Sequence, residues 1–193
     1  MTATMSNHTN AVSKPDNSTT PLFATDYKVY INHTDAGGIV YHANHLVFFE
    51  NCRRDWFTEL GLNGYFLQTD NGEIQHFVVS QADLQYKRAI LLDEIINVRI
   101  DKVELKPASI VFYQSIHRHT PNSSASDNAK TNNSLLSRTK IVIACVQNQV
   151  TPESISNNES DATTAHTAPM RPIRVPQKLH EAIQKAITQH PDA

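Results

Sequence analysis

His33-Thr34-Asp35-Ala36-Gly37-Gly38-Ile39-Val40-Tyr41-His42-Ala43-Asn44-His45 lies between a stretch that reads as a strand and one that reads as a helix. Two of the five glycines in the chain stand side by side here. Adjacent glycines let the backbone take positive φ and let another group approach closely. Behind them, a helix start offers unpaired N–H groups and a partial positive charge. An acid, a flexible turn and a helix N-terminus together suit attack on a carbonyl. Asp35 would be the carboxylate, and the N–H groups would meet the developing oxyanion.

The same residues carry blander readings. An Asp before a Gly pair is more often a turn or cap residue than a catalyst. Asp35, His42 and His45 also spell a two-His, one-carboxylate metal set, but so short a motif is common by chance, and no metal is expected. The glycines do not form a phosphate cradle: no Gly-Lys-Ser/Thr follows, and dinucleotide-binding spacing is absent. His33 reads as a polar strand-end residue.

Outward from this segment, Phe23 to Ile31 is predicted as a first strand on its aromatic and β-branched content. Ala43 to Leu60 has the helical period: Leu46, Phe49, Cys52/Arg53, Trp56 and Leu60 fall three or four apart, with Val47 and Phe57 widening the stripe. Gly61 is placed to end this helix in a left-handed turn. Strand candidates follow at Gln75 to Tyr86, Glu94 to Leu105, Ser109 to Arg118 and Lys140 to Gln147, with Pro107 in a turn position. Val175 to Gln189 reads as a terminal helix that starts at Pro176. Few connections are long enough for crossover helices, which predicts an α+β class with a mostly antiparallel sheet around one apolar helix.

Three Thr/Ser/Asn-rich stretches cannot bury enough apolar area to offset the entropy of ordering. They predict a disordered tail over 1–21 and mobile insertions at about 120–137 and 151–168. A single domain would span 22–176, with a terminal helix and tail over 177–193. A formal charge of -2 and 39% hydrophobic content describe a soluble globular chain. Without a basic excess, no nucleic-acid partner is expected. The longest apolar runs fall far short of the roughly 20 residues that span a bilayer, so no membrane insertion is expected. Residues 1–20 lack the apolar core of a secretory signal, which predicts a cytoplasmic protein. Cys52 and Cys145 sit in apolar segments and read as buried thiols.

The run Thr34-Asp35-Ala36-Gly37-Gly38-Ile39-Val40-Tyr41-His42-Ala43-Asn44 resembles the signature of the 4-hydroxybenzoyl-CoA thioesterase family. It is most similar to the Tol–Pal-associated acyl-CoA thioesterase branch. Phe48-Phe49-Glu50, Arg53 and Trp56 continue the likeness along the helix. Phe77-Val78-Val79, Ala82-Asp83-Leu84, Tyr86-Lys87-Arg88 and Leu92-Asp93-Glu94 match the next strands, and Pro172-Ile173-Arg174-Val175-Pro176 the closing segment. One departure stands out: Ala89-Ile90 replaces the usual Pro-Ala, which bears on the bend there and on the acyl pocket.

The resemblance implies a hotdog fold, an antiparallel sheet curled around one long helix. It implies hydrolysis of a short- to medium-chain or aromatic acyl-CoA to free acid and coenzyme A, with no cofactor beyond the substrate's own coenzyme A. It further implies a homodimer or homotetramer with active sites between subunits. In that family the Asp at position 35 is nucleophile or general base. The His at position 42 assists, and its backbone N–H points at the carbonyl oxygen. Tyr41 and Asn44 become candidate substrate contacts at the helix start, and Lys87 and Arg88 candidates for the coenzyme A phosphates. Two alternatives use the same fold: a non-catalytic protein that holds acyl-CoA or acyl carrier protein, and a hydratase or dehydratase. The latter needs a paired acid and base, and no second acid on the helix offers itself.

Overall fold

The computed structural model describes residues 20–62, 67–68, 74–119, 134–148 and 170–190. The tail expected over 1–21 lies outside these apart from residues 20 and 21. So do the insertion expected over 151–168 and residues 120–133 of the other one.

Phe48, Phe49, Cys52, Trp56 and Phe57 recur at helical spacing and lie on one face of α1 (Asn44–Glu59), each buried. Burying side chains of this size contributes about 1.5–3 kcal/mol apiece. Val47, expected on that face, is 46% exposed. At 100° per residue it lies opposite the centre of the buried set, so spacing from Phe49 and Cys52 excludes it. The helix ends as Gly61 predicts. Gly61 has φ +70, its N–H donates to Thr58 O, and Leu62 N–H donates to Phe57 O. This pair of bonds, with Leu62 buried beyond it, is a Schellman cap.

The strands are β1 (Phe23–Lys28), β2 (Leu67–Gln68), β3 (Ile74–Tyr86), β4 (Ile95–Leu105), β5 (Ser109–Arg118), β6 (Leu135–Asn148) and β7 (Met170–Pro172). They form one sheet in the order β1-β4-β5-β6-β3-β2, with β7 also pairing β6, and every pairing is antiparallel. Ile96, Val98, Ile100, Ile110, Phe112, Ile116, Ile141 and Ile143 line the face that packs on α1. Helix α2 (Gln177–Gln189) adds Leu179, Ile183 and Ala186 to the same core. This is the hotdog arrangement that the resemblance implies.

Two boundaries differ from the sequence reading by three residues or more. β1 stops at Lys28, and Ile31–His33 form a turn of 3₁₀ helix in place of the predicted strand end. β6 starts at Leu135, inside the stretch expected to be a mobile insertion, and Leu136 and Ser137 are fully buried. Pairing with β3 and β5 on both sides outweighs the polar composition there.

Polar side chains also join α1 to the sheet. His45 Nδ1 lies 3.0 Å from Ser137 Oγ. Arg53 Nη1 donates to Gln114 Oε1 at 2.7 Å, and Gln114 Nε2 donates to Phe49 O at 3.1 Å. Unlike dispersion contacts, these bonds are directional and fix the rotation of the helix against the strands.

Candidate active site

The loop before α1 is a tight turn. Thr34 and Val40 form a bridge, Asp35 N–H donates to Ile39 O at 2.9 Å, and Gly38 N–H donates to Asp35 O at 3.1 Å. Gly38 closes the turn at φ +74, a conformation that glycine alone adopts cheaply. Asp35 takes the first turn position, where Asp is favoured, and its Oδ1 accepts the Gly37 N–H at 2.8 Å. The turn-residue reading is therefore true of Asp35. It does not exhaust the side chain: Asp35 is exposed, and Oδ2 has no partner among the described residues. A Cβ on Gly37 would come within 3.2 Å of Oδ1, so the second glycine leaves room for the carboxylate.

A second segment backs this turn. Val40 N–H donates to Ile90 O, Leu92 N–H donates to Gly38 O, and Ile39 bridges Leu91. The segment is in turn strapped by Arg118, which bonds Ala89 O at 3.1 Å and pairs with Glu94 at 3.1 Å. Ile90 is buried at 1% exposure. The bend is thus held without the Pro-Ala of related sequences, by side-chain bonds from β5 and one buried anchor.

Helix α1 begins with no side-chain cap. Asn44 N–H returns to Tyr41 O at 2.8 Å, while the amides of His42 and Ala43 take no partner among the described residues. Unpaired amides at a helix start are where an oxyanion would be received. His33 holds this junction from the other side. Its carbonyl accepts Tyr41 N–H at 3.0 Å and Asn44 Nδ2 at 2.8 Å, and its Nδ1 accepts Tyr30 N–H at 3.0 Å. It is more than a polar strand end.

Of the candidate residues, Asp35, Tyr41 and His42 are exposed on this loop, and the Tyr41 and His42 rings lie 4.2 Å apart. Asn44 spends its amide on His33. Lys87 and Arg88 are exposed just past the end of β3, with both backbone amides donating to Leu136 O. His45 does not join Asp35 and His42 in a metal set. It is buried against Ser137 and packs edge-on to Tyr86 at 5.0 Å. Burial, with His42 adding to it, pushes its imidazole down to about 4. Tyr86 carries no site role in the sequence reading, yet its hydroxyl donates to His42 O at 3.1 Å. Nothing local in the sequence signals that bond; it spans 44 positions.

Comparison with known proteins fits this geometry. The thioesterase superfamily profile matches residues 37–125. The acyl-CoA thioesterase YbgC of Haemophilus influenzae is 34% identical over 126 residues, covering 64% of this chain and 80% of that protein. The acyl-CoA thioester hydrolase YbgC of Escherichia coli O6:H1 is 30% identical, covering 66% and 84%. The 4-hydroxybenzoyl-CoA thioesterase of Pseudomonas sp. strain CBS-3 superposes with a TM-score of 0.60 at 17% identity, over 83% of this chain and 97% of that one, a likeness of fold.

Proposed function

The chain belongs to the thioesterase superfamily, and we propose that it is an acyl-CoA thioester hydrolase in which Asp35 drives the reaction. The observation that carries this reading is an exposed carboxylate held on the turn that leads into an uncapped helix start. Asp35 attacks the thioester carbonyl or activates a water. The free amides at His42 and Ala43 receive the oxyanion, and the His42 side chain orients substrate or water. Either route has the same balance: the oxygen of water joins the carbonyl carbon, the C–S bond breaks, and the departing thiolate takes a proton.

Tyr41 meets the substrate beside the thioester, Asn44 keeps the helix start against His33, and Lys87 and Arg88 meet the coenzyme A phosphates. No metal or resident cofactor enters this scheme. Short- to medium-chain or aromatic acyl groups are the proposed substrates, and acyl carrier protein is an alternative carrier. A homodimer or homotetramer in the cytoplasm completes the reading. β2 pairs the outer edge of β3 at Ile74 and Gln75, and from Val78 to Tyr86 no strand pairs that edge among the described residues, which leaves room for a second copy. The Tol–Pal association rests on the resemblance of the Thr34–Asn44 run.

Thiol release from a panel of acyl-CoAs, short aliphatic through long and aromatic, tests the proposal. Asp35→Asn keeps an oxygen for the Gly37 amide and is expected to fold normally while losing at least about 100-fold in turnover. Near wild-type rates in that variant would sink the assignment. If the folded wild type hydrolysed no member, a protein that binds acyl-CoA or acyl carrier protein would take its place.

A further inference from the structure

Tyr86 ends β3, and in the β3–β6 register it lies opposite Ser137. These two sheet residues grip the start of α1 and the turn that leads into it from neighbouring positions. Tyr86 takes the His42 carbonyl through its hydroxyl at 3.1 Å and the His45 ring through its own ring at 5.0 Å. Ser137 takes His45 Nδ1 at 3.0 Å. His45 is buried and held as neutral imidazole, so this grip carries no ionic partner to pull it elsewhere. On the far side the His33 carbonyl ties the turn through Tyr41 N–H and Asn44 Nδ2, and the His33 ring packs on Phe48.

The His42 carbonyl and the Ala43 N–H belong to one planar peptide unit. Whatever fixes the carbonyl therefore fixes the direction of that amide, one of those without a partner at the helix start among the described residues. We propose that Tyr86 is a positioning residue for thioester hydrolysis, its hydroxyl setting the plane of the His42–Ala43 peptide that receives the oxyanion. This deepens the reading of the preceding section and rests on it. Tyr86 is half exposed at the end of a strand, where a purely structural aromatic would need only its ring. The hydroxyl bond is what distinguishes the two roles.

Tyr86→Phe keeps the ring against His45 and removes the hydroxyl alone. The measurement is steady-state hydrolysis of the best acyl-CoA by wild type, Tyr86→Phe and Asp35→Asn. It is paired with the affinity of a non-hydrolysable thioether analogue and with thermal unfolding. A neutral hydrogen bond that acts only on the transition state predicts a kcat lower by about 3- to 10-fold. KM, analogue affinity and melting midpoint should stay as in wild type. An unchanged kcat overturns the proposal. So does a loss that arrives with weaker analogue binding or earlier melting, since that marks a packing role. Asp35→Asn separates the two levels: if it abolishes turnover while Tyr86→Phe does not change it, the hydrolase reading stands and the role of Tyr86 falls. A wild type without hydrolysis overturns both.

Discussion

Arg53 shows what a single side chain can demand of a core. It is 2% exposed on the inner face of α1, with Nη1 on Gln114 and its guanidinium carbon 5.8 Å from the Phe112 ring centroid. Its Nε has no partner, and no carboxylate pairs with it among the described residues. Removing a charge from water without a counter-ion is costly, so Arg53 persists on its bond to Gln114 and its stacking. Arg53→Ala leaves a void and strands the Gln114 oxygen, which should cost about 2–4 kcal/mol. Replacing both partners with apolar residues of similar size, Arg53→Met with Gln114→Leu, should recover most of that loss. Urea midpoints at constant m check both expectations; a double variant no more stable than Arg53→Ala would show the charge to be needed for more than packing.

Among the elements, β3 is the least self-sufficient. It pairs with β6 from Gln75 to Tyr86, yet from Val78 to Tyr86 no strand pairs its other edge among the described residues, and Val79 and Tyr86 are exposed on it. Unpaired strand edges invite a further strand. Sedimentation should therefore give two or four times the 21.6 kDa of the chain, and a mass of one chain at micromolar concentration would remove the proposed shared-site arrangement. The elements themselves were largely legible: α1, its Gly61 stop, and the cores of β3, β4 and β5 follow from spacing and turn residues. The missed part is instructive. Leu135, Leu136 and Ser137 look like the tail of a polar insertion, and they become strand through pairing: Leu135 and Ser137 with β5, Ser137 with Tyr86 of β3, and Leu136 O with the amides of Lys87 and Arg88.

For the whole molecule, buried imidazoles link stability to pH. His45 is pushed down to about 4 by burial and then by His42, and His117 to about 4 by burial and then by the nearby Arg99 guanidinium. His117 is also held between Ser115 and Ser134 at 3.0 and 3.1 Å. A histidine whose folded value lies below the ordinary 6.5 is neutral in the fold while the unfolded chain already binds a proton. The unfolded state then holds more protons between about 6.5 and 4, so stability falls as pH falls through that window and levels off below it. For His45 the loss is at most about 3 kcal/mol. His45→Gln should flatten the urea midpoint between pH 6.5 and 4.5 relative to wild type; parallel curves would show that His45 does not carry this dependence.

The sequence by itself determined the local grammar: a period of 3–4 over α1, a period of 2 in β5, an Asp at the start of a two-glycine turn, and a helix N-terminus behind it. Asp35, Tyr41 and His42 are neighbours along the chain, so the candidate site could be read before any folding was known. Tertiary structure alone decided what holds that site. The Tyr86 bond to His42 spans 44 positions and the His45–Ser137 contact spans 92. Both exist only because β3 and β6 pair in one register, a register set by burial of a whole sheet face and not by any local pattern.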